Sequence, residues 1–357
     1  MYDALPANNK TWLNLENFEY HTFFRDFSSM TSFLHSQYDG QGILYLFLDE
    51  FQKVKHIDSI LKLIYDELPW VKVIASGSNS IEINKNIHES FAGRKRVYTM
   101  YPLDFDEFLL WRGEISDIRE VSRYYNNPLN QNKISAYLQE FMIWGGYPEI
   151  VLTQTISEKQ KVLEGIFDYW FNRDIVLYTD RLPEFKELLK QLAFRIGNTL
   201  SYAELGTLSH LTGPTIKRFV SILEEIYICF QIVPFFHNKL KELSRAPKLY
   251  FYDSGCRNVF IRRFDFSPSE LGILFENFIY TELIKRGKNV NDLKFWRTKN
   301  EQYEVDIIIE HEWRAIECKY RNTMKPDDTR WIRALKKENP EFHEEYAYIH
   351  TFWKLWE

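Results

Sequence analysis

The length, composition and charge of the chain narrow its class before any motif is considered. Its 357 residues suffice for two or three domains of roughly 150 residues, and 45% hydrophobic with 17% aromatic content argues against intrinsic disorder. A formal net charge of −5 excludes a net positive electrostatic field that would attract the whole chain to nucleic acid or to an anionic membrane. Scattered cysteines and the lack of an apolar run near ~18 residues predict a cytoplasmic protein with no disulfide framework and no membrane partner.

The first hundred residues have the pattern of a parallel α/β sheet. Two apolar runs, at 42–50 and 71–80, are typical of buried parallel strands, and each ends in polar residues. Between them, apolar residues at helical spacing predict a helix from about Asp58 to Leu68. Strand, helix and strand in this order are the unit of an α/β fold, and we assign them to a first domain at 1–113.

Helices dominate the predicted second domain, at 114–263. Two capped helices, beginning near Ser201 and Thr212, are separated by about four turn residues, which is the spacing of a helix-turn-helix. The β-prone segments after them predict a wing, and hence a winged helix at about 199–252. An ordinary helical hairpin fits the same spacing, and the sequence leaves this alternative open.

The predicted third domain, at 264–357, is a small α/β domain. It begins with a capping box in which Ser267 precedes a proline at the first helical position and Glu270 lies at the third. Downstream, the pattern predicts two strands, a helix and a strand, at about 303–310, 313–320, 327–338 and 345–352.

Polar side chains follow both predicted strands of the first domain. Asp49 and Glu50 end the first strand, and Ser78 and Asn79 end the second. Because ligands of an open parallel sheet bind beyond the carboxyl ends of its strands, these side chains are candidates for a nucleotide site. In a nucleotide hydrolase the first carboxylate holds Mg²⁺ and the second polarises the attacking water. Arg94 is a candidate for stabilising the negative charge of the transition state. The alternative for these five residues is that they lie in solvated turns or on the surface and have no catalytic role.

Several segments in a fixed order resemble a family of uncharacterised prokaryotic AAA-type ATPases, and together they cover nearly the whole chain. The segments are LDEFQK, SGSNS, AGRKRV, PLDFDEF, GGYPEIV, FNRDIV and APKLYFYDSG. The resemblance implies that Asp49 and Glu50 form a Walker B motif. It also implies that Ser78 and Asn79 form sensor 1 and that Arg94 is an arginine finger. ATP and Mg²⁺ are the implied cofactors.

The chain departs from this family in lacking the glycine-rich phosphate loop. None of its 14 glycines lies in a GxxxxGK[ST] pattern, whose backbone amides and lysine cradle phosphates at a helix N-terminus. The family's second strand matches residues 11–17, and too few residues precede it for the first strand and its loop. We therefore expect neither tight ATP binding nor hydrolysis by this chain alone. We also expect the sheet to close across a gap between strands at 71–76 and 96–101, or to borrow a strand from another protein or chain; oligomerisation stays open.

A second candidate site lies in the segment EVDIIIEHEWRAIECK of the third domain. A turn at 311–312 would place Asp306 opposite Glu317, with their Cβ atoms about 5 Å apart, and Lys319 on the same face. Two opposed carboxylates are tolerated when a cation lies between them, so Mg²⁺ or Mn²⁺ is the expected occupant. Lys319 would then orient a water molecule or stabilise charge on a phosphate.

This spacing of Asp, Glu and Lys resembles the active motif of PD-(D/E)xK nucleases, which implies a restriction-endonuclease-like third domain. The resemblance also implies a further metal-ligating carboxylate on the preceding helix, where Glu276 matches. A carboxylate beside apolar residues at helical spacing needs a partner. The alternative is that Glu276 pairs with a lysine or arginine and that the hairpin is a solvated edge.

Basic residues around the predicted wing favour a contact with DNA phosphates. The candidates are Lys217, Arg218, Lys239, Lys241, Arg245 and Lys248. A solvated surface is the alternative for this set. We therefore hypothesise an AAA-type ATPase family member with a task linked to DNA, and we keep two alternatives: a metal-dependent nuclease and a non-catalytic interaction module.

Overall fold

The chain divides into two compact units, Met1–Thr99 and Met100–Glu357. The structure is a computed structural model that describes residues 9–78, 93–173, 175–238, 240, 242, 245–298 and 303–356. The α/β class expected from the sequence is confirmed, with a parallel sheet in the first unit, a helical middle and a small C-terminal α/β region. In the part of the chain that is described, no helix is both long and apolar enough to cross a membrane.

The first unit contains a three-stranded parallel sheet in the order β1-β2-β3. Its strands and helices are β1 (Lys10–Asn14), α1 (Phe27–Gln37), β2 (Leu44–Asp49), α2 (Ile57–Glu67) and β3 (Val71–Ala75). β2 is the central strand, which explains why its sequence is a continuous apolar run. The apolar residues at helical spacing form a buried stripe on α2, namely Ile57, Ile60, Leu61 and Ile64.

The strand expected at 96–101 does not form. Residues 95–100 carry no strand pairing, and the side chains of Val97 and Tyr98 are 63% and 79% exposed. Among the described residues β3 is therefore an edge strand, and the sheet does not close across the expected gap. A strand needs a neighbour to satisfy its backbone N–H and C=O groups, and none of the described strands pairs with this segment.

The middle of the chain is helical, as its sequence pattern indicates. Its helices are α3 (Phe105–Trp111), α4 (Val121–Tyr125), α5 (Gln131–Trp144), α6 (Pro148–Leu152), α7 (Ile156–Arg173), α8 (Leu182–Phe194), α9 (Tyr202–Ser209), α10 (Gly213–Glu225) and α11 (Ser254–Phe260). Side-chain caps set several of the starts. The side chain of Ser201 accepts the N–H of Glu204 at the start of α9, and that of Thr212 accepts the N–H of Thr215 at the start of α10.

Two short strands follow α10 and pair antiparallel: β4 (Cys229–Ile232) and β5 (Lys248–Phe251). All four residues of β5 are buried, and Pro234, just after β4, bridges to Phe295 of the C-terminal sheet. The predicted helices and strand pair are thus present as elements. The strand pair is packed into the unit, because every residue of β5 is buried.

The C-terminal region consists of a long helix, a mixed sheet and one further helix. Its elements are α12 (Pro268–Lys285), β6 (Leu293–Arg297), β7 (Glu304–Ile309), β8 (Arg314–Lys319), α13 (Arg330–Glu338) and β9 (His343–Tyr348). The sheet order is β6-β7-β8-β9, with β9 parallel to β8 and the other pairs antiparallel. The register pairs Ile307 with Ile316, as the expected hairpin requires. Sequence reasoning missed β6.

Short 3-10 helices complete the architecture. They are Phe18–Phe24, Phe51–Lys53, Ile118–Glu120, Pro128–Asn130, Ile175–Leu177, Val290–Asp292, Glu310–Glu312, Pro326–Thr329 and Phe352–Leu355.

Helix α3 is fixed to α12 by a buried polar cluster. The backbone N–H of Phe105 donates to both carboxylate oxygens of Glu282, at 3.2 Å each, and Arg286 pairs with Asp106 at 2.7 Å. Burial raises the pKa of the Glu282 carboxyl to about 7, although the Arg286 and Lys285 charges act in the opposite direction. The start of α3 therefore depends on a residue 177 positions away.

Candidate functional site

Two carboxylates and two serines meet at the carboxyl edge of the first sheet. Ser76 Oγ donates to Asp49 Oδ1 at 2.7 Å, and Ser78 Oγ donates to Glu50 Oε2 at 3.0 Å. Glu50 has a left-handed backbone, with φ 52° and ψ 43°, which ends β2 and starts the following turn. The structure thus brings Ser78 to the Walker-B-like pair as expected. Ser76 was missed, although it follows β3 by one position.

Arg94 is not brought to this edge. Asn79 lies outside the described residues. Arg94 pairs with Asp66 in the last turn of α2, with Nε 2.9 Å from Oδ1, and its guanidinium lies 6.0 Å from the ring of Tyr65. Because α2 runs back from the carboxyl edge toward the amino ends of the strands, Arg94 lies at the opposite end of the sheet from Asp49. Arg94 and Asp66 form an ion pair on the surface of this unit.

The nuclease-like motif of the C-terminal sheet is brought together in space. Lys319 Nζ lies 3.6 Å from Asp306 Oδ2 and pairs with Glu317 Oε1. The backbone N–H of Cys318 donates to Asp306 Oδ2 at 2.8 Å, which fixes that carboxylate against β8. The expected hairpin is therefore not a solvated edge, because β6 and β9 flank it on both sides.

Glu317 is the most constrained carboxylate of this cluster. Its side chain is 1% exposed, and its Oε2 is buried with no hydrogen-bond partner among the described residues. Burial and then the Asp306 charge raise the pKa of the Glu317 carboxyl well above its usual value. Burial lowers the pKa of Lys319, but the Asp306 and Glu317 carboxylates outweigh it, so the pKa of the lysine is raised. Lys319 therefore stays charged at neutral pH.

A second lysine, from β5, enters the same cluster. Lys248 Nζ lies 3.1 Å from Glu276 Oε1 and 2.6 Å from Glu304 Oε1, and its side chain is 2% exposed. The Tyr250 hydroxyl donates to the same oxygen of Glu276. Burial raises the pKa of Glu276 to about 7, although Lys248 acts against it. Glu276 thus pairs with a lysine, which is the alternative that the sequence left open to its being a metal ligand.

This geometry corrects the proposed role of Lys248. A phosphate contact must reach solvent, whereas the ammonium of Lys248 lies inside the protein on two carboxylates. Burial lowers its pKa, but the charges of Glu276, Glu304 and Asp306 outweigh this and raise it. Sequence reasoning placed the residue in a basic surface run because its acidic partners are 28 and 56 positions away.

The expected divalent cation does not fit the cluster as it is arranged. Among the described residues, no group of three or more carboxylate, histidine or cysteine side chains is placed to hold a metal ion. The carboxylates that would supply oxygen ligands already pair with ammonium groups: Glu276 with Lys248, and Asp306 and Glu317 with Lys319. The lysines supply the positive charge that a metal ion would otherwise provide.

Three of the candidate phosphate contacts lie on the surface. Lys217 and Arg218 are exposed on α10, and Arg245 is exposed in the loop before β5. The guanidinium of Arg245 lies 6.0 Å from the Phe236 ring, and Arg218 donates to the carbonyl of Tyr178 at 3.0 Å. The other two candidates, Lys239 and Lys241, lie outside the described residues.

Two of the family-like segments interlock inside the protein. Asp253 of the YDSG segment caps α11 by accepting the N–H of Cys256 at 2.9 Å, and its second oxygen accepts the N–H of Gly146 at 2.7 Å. This packing requires glycine at Gly145 (φ 79°) and at Gly255, because a Cβ at either position would lie 2.1 Å from a heavy atom. The GG and DSG residues are thus architectural. Of the FNRDIV segment, Asp174 lies outside the described residues and Arg173 donates to the Tyr169 hydroxyl at 2.7 Å.

Family profiles match three successive parts of the chain. A profile described as an AAA domain matches residues 1–109. Two profiles described as domains of unknown function match residues 135–267 (DUF8612) and 271–351 (DUF4143). The first match contains the Asp49–Glu50 edge, and the third contains the carboxylate and lysine cluster except for the residues that β5 supplies.

Similar proteins occur in archaea and bacteria, and their descriptions say only that they are uncharacterized. A protein of Methanocaldococcus jannaschii is 29% identical over 74% of this chain and 58% of its own length. A Haemophilus influenzae protein is 24% identical over 85% of this chain and 72% of its own length. A Mycobacterium tuberculosis protein is 23% identical over 80% of this chain and 60% of its own length. No solved structure matches the chain significantly.

Proposed function

We propose that this chain, which belongs to an AAA-type, ATPase-like family of uncharacterised prokaryotic proteins, uses the carboxyl edge of its first sheet as the acidic side of a nucleotide site. The supporting observation is the paired arrangement in which Ser76 and Ser78 hold Asp49 and Glu50 beyond the ends of β2 and β3. Carboxylate and hydroxyl oxygens are the ligands that Mg²⁺ prefers. Asp49 would hold the ion that accompanies the phosphates, and Glu50 would orient a water molecule.

The sequence contains no GxxxxGK[ST] loop, so the phosphates lack the amide cradle that gives such sites their affinity. We therefore expect saturable but weak MgATP binding, with no turnover by the chain on its own. Displacement of a fluorescent ATP analogue by MgATP measures this binding. Asp49→Asn should abolish the Mg²⁺ dependence, whereas Asp39→Asn, which makes the same charge change on an exposed loop of the same unit, should leave binding unchanged. Equal binding by wild type and Asp49→Asn, or turnover by the isolated chain, would contradict the proposal.

A second candidate function is phosphodiester cleavage at the C-terminal cluster. It is favoured by the convergence of Asp306, Glu317 and Lys319 on two neighbouring strands, with one oxygen of Glu317 left without a partner among the described residues. Nicking of supercoiled plasmid in Mg²⁺ or Mn²⁺ tests it, with Asp306→Ala as the matched variant. Nicking that disappears in Asp306→Ala supports cleavage. A wild-type protein that never nicks favours a non-catalytic interaction module instead.

The proposed link to DNA rests on the exposed cations of α10 and of the loop before β5. Lys217→Glu combined with Arg218→Glu should weaken binding to a fluorescent duplex measured by anisotropy. The log–log slope of affinity against salt concentration should become shallower by roughly one unit for each phosphate that these side chains no longer neutralise. Lys354→Glu, an exposed lysine near the C-terminus of the chain, is the control for net charge. Binding that is absent or insensitive to salt would remove DNA from the proposal.

A further inference from the structure

Helix α7 has a second stripe of residues that does not face the core. Its core side is buried through Leu163, Phe167 and Phe171. On the other side, residues at helical spacing form what we call the α7 stripe: Glu158, Val162, Gly165, Ile166, Tyr169 and Arg173. Tyr169 is 62% exposed, and an open cleft of about 380 Å³ borders the four middle residues of the stripe. A helix needs only one apolar side to join its own core, so the α7 stripe is available to a partner.

The glycine of the stripe is a second, independent indication of a partner. Gly165 lies in the middle of this 18-residue helix, and a Cβ there would meet no heavy atom within 4 Å among the described residues. Glycine weakens a helix interior relative to alanine, and the packing of the chain itself does not require it. Glycine does permit the close approach of another backbone. Gly165 therefore points to a neighbour that the single chain does not contain.

The α7 stripe is complementary to itself in size and in charge. Consider two antiparallel copies of the helix, related by a two-fold axis that passes between residues 165 and 166. Positions at equal distance from the axis then face each other: Gly165 faces Ile166, Val162 faces Tyr169, and Glu158 faces Arg173. A small residue meets a larger one and an anion meets a cation, and two-fold symmetry makes each contact twice.

The charges of the stripe favour a second copy over other partners. A partner must present a cation opposite Glu158 and an anion opposite Arg173, which are separated along the helix by roughly 22 Å. A nucleic acid presents only anions along its backbone and would be repelled by Glu158. A second copy supplies both charges at the required spacing. The Nη1 of Arg173 donates to the Tyr169 hydroxyl at 2.7 Å, which holds the guanidinium along the stripe.

We propose that α7 is a homodimerisation surface, on which two copies of the chain pack their α7 stripes antiparallel about a two-fold axis between Gly165 and Ile166. An 18-residue helix is about 27 Å long and about 10 Å wide. One helix pair therefore covers less than the roughly 800 Å² per partner of a standard protein–protein interface. The dimer is accordingly weak, and its population depends on protein concentration.

Sedimentation equilibrium of the full chain over about 1–200 µM tests this, and wild type should show a monomer–dimer equilibrium. Glu158→Lys and Arg173→Glu each place like charges opposite one another twice, so either variant alone should raise the dimer Kd at least about tenfold. An equimolar mixture of the two variants restores opposite charges at both contacts of a heterodimer and should associate as wild type does. Asp168→Lys is the matched control, because Asp168 is exposed on the same helix but outside the α7 stripe.

A pair of cysteine variants tests the geometry without a change of charge on the stripe. Gly165→Cys lies beside the two-fold axis and should form an intermolecular disulfide on mild oxidation, whereas Asp168→Cys should not; the three native cysteines are buried. Circular dichroism checks the fold of every variant, and if the charge variants lose their fold the two cysteine variants decide. The proposal is overturned when wild type stays monomeric throughout the concentration range, when a folded single charge variant dimerises as wild type does, when the mixture does not recover, or when both cysteine variants cross-link equally.

Discussion

Substitution of Gly145 by alanine tests whether the segments that carry the family resemblance are architectural. Gly145 follows α5 and has φ 79° and ψ −172°, a conformation open essentially to glycine alone. A Cβ at this position would lie 2.1 Å from Asp253 Oδ1 and 2.5 Å from Oδ2. The alanine therefore strains the backbone and also displaces the buried carboxylate that joins α5 to α11.

The expected loss follows from these two effects. The backbone strain costs about 1–3 kcal/mol. Displacing Asp253 breaks its bonds with the N–H groups of Gly146 and Cys256, and hydrogen bonds to a charged group contribute about 1.5–3 kcal/mol each. With one of the two bonds retained after relaxation, we expect Gly145→Ala to lower the free energy of unfolding by about 2.5–6 kcal/mol.

Urea unfolding followed by circular dichroism measures this change, and Gly165→Ala is the control. Gly165 lies on the exposed face of α7, and a Cβ there meets no atom within 4 Å. Glycine is a poor helix former, so the control should be more stable than wild type by up to about 1 kcal/mol. A Gly145→Ala protein within about 1 kcal/mol of wild type would refute the interlock.

Three further measurements probe other parts of the second unit. The pKa values of the Glu276 and Glu282 carboxyls are raised to about 7 in the folded protein, so their protonation stabilises the fold, and the free energy of unfolding should fall as pH rises from about 5 to 8. Glu282→Gln should flatten this pH dependence, by up to about 3 kcal/mol over that range. An unchanged pH dependence would show that the pKa of Glu282 is not raised. Asp104→Ala removes the capping box of α3 and should cost about 1 kcal/mol in urea, with Asp104→Asn retaining most of it. Ile316 is fully buried in β8, so Ile316→Ala opens a cavity and should cost about 2–5 kcal/mol; a loss under about 1 kcal/mol would contradict the core position.

The features that sequence reasoning captured depend on local periodicity and register. The β7–β8 hairpin was predictable because the charged turn between the two apolar runs fixes which residues oppose each other, and the observed pairing of Ile308 with Ala315 follows from that turn. The carboxyl edge of the first sheet was predictable for a similar reason. Parallel strands end at one edge, so polar residues after β2 and β3 had to meet, as Glu50 and Ser78 do.

The features that were missed depend on neighbours in space. The sequence of β6, LKFWR, has two basic residues in five positions and does not by itself predict a strand. The segment is a strand because it pairs with β7. The segment at 96–101 shows the converse case. Its aromatic and β-branched residues favour a strand, yet without a described partner for its backbone it forms none.

Lys248 shows why a run of basic residues is weak evidence for a nucleic-acid surface. Within the run its charge is indistinguishable from that of Arg245, three positions earlier, which is exposed. What separates them is the strand that begins at Lys248, because β5 turns Lys248 and Tyr250 toward Glu276 of α12 and away from solvent. A lysine placed there neutralises carboxylates that would otherwise repel one another. The acidic motif of the C-terminal sheet and the basic residue of the neighbouring strand therefore form one electrostatic unit, and the presence of the motif alone does not establish that a metal ion binds it.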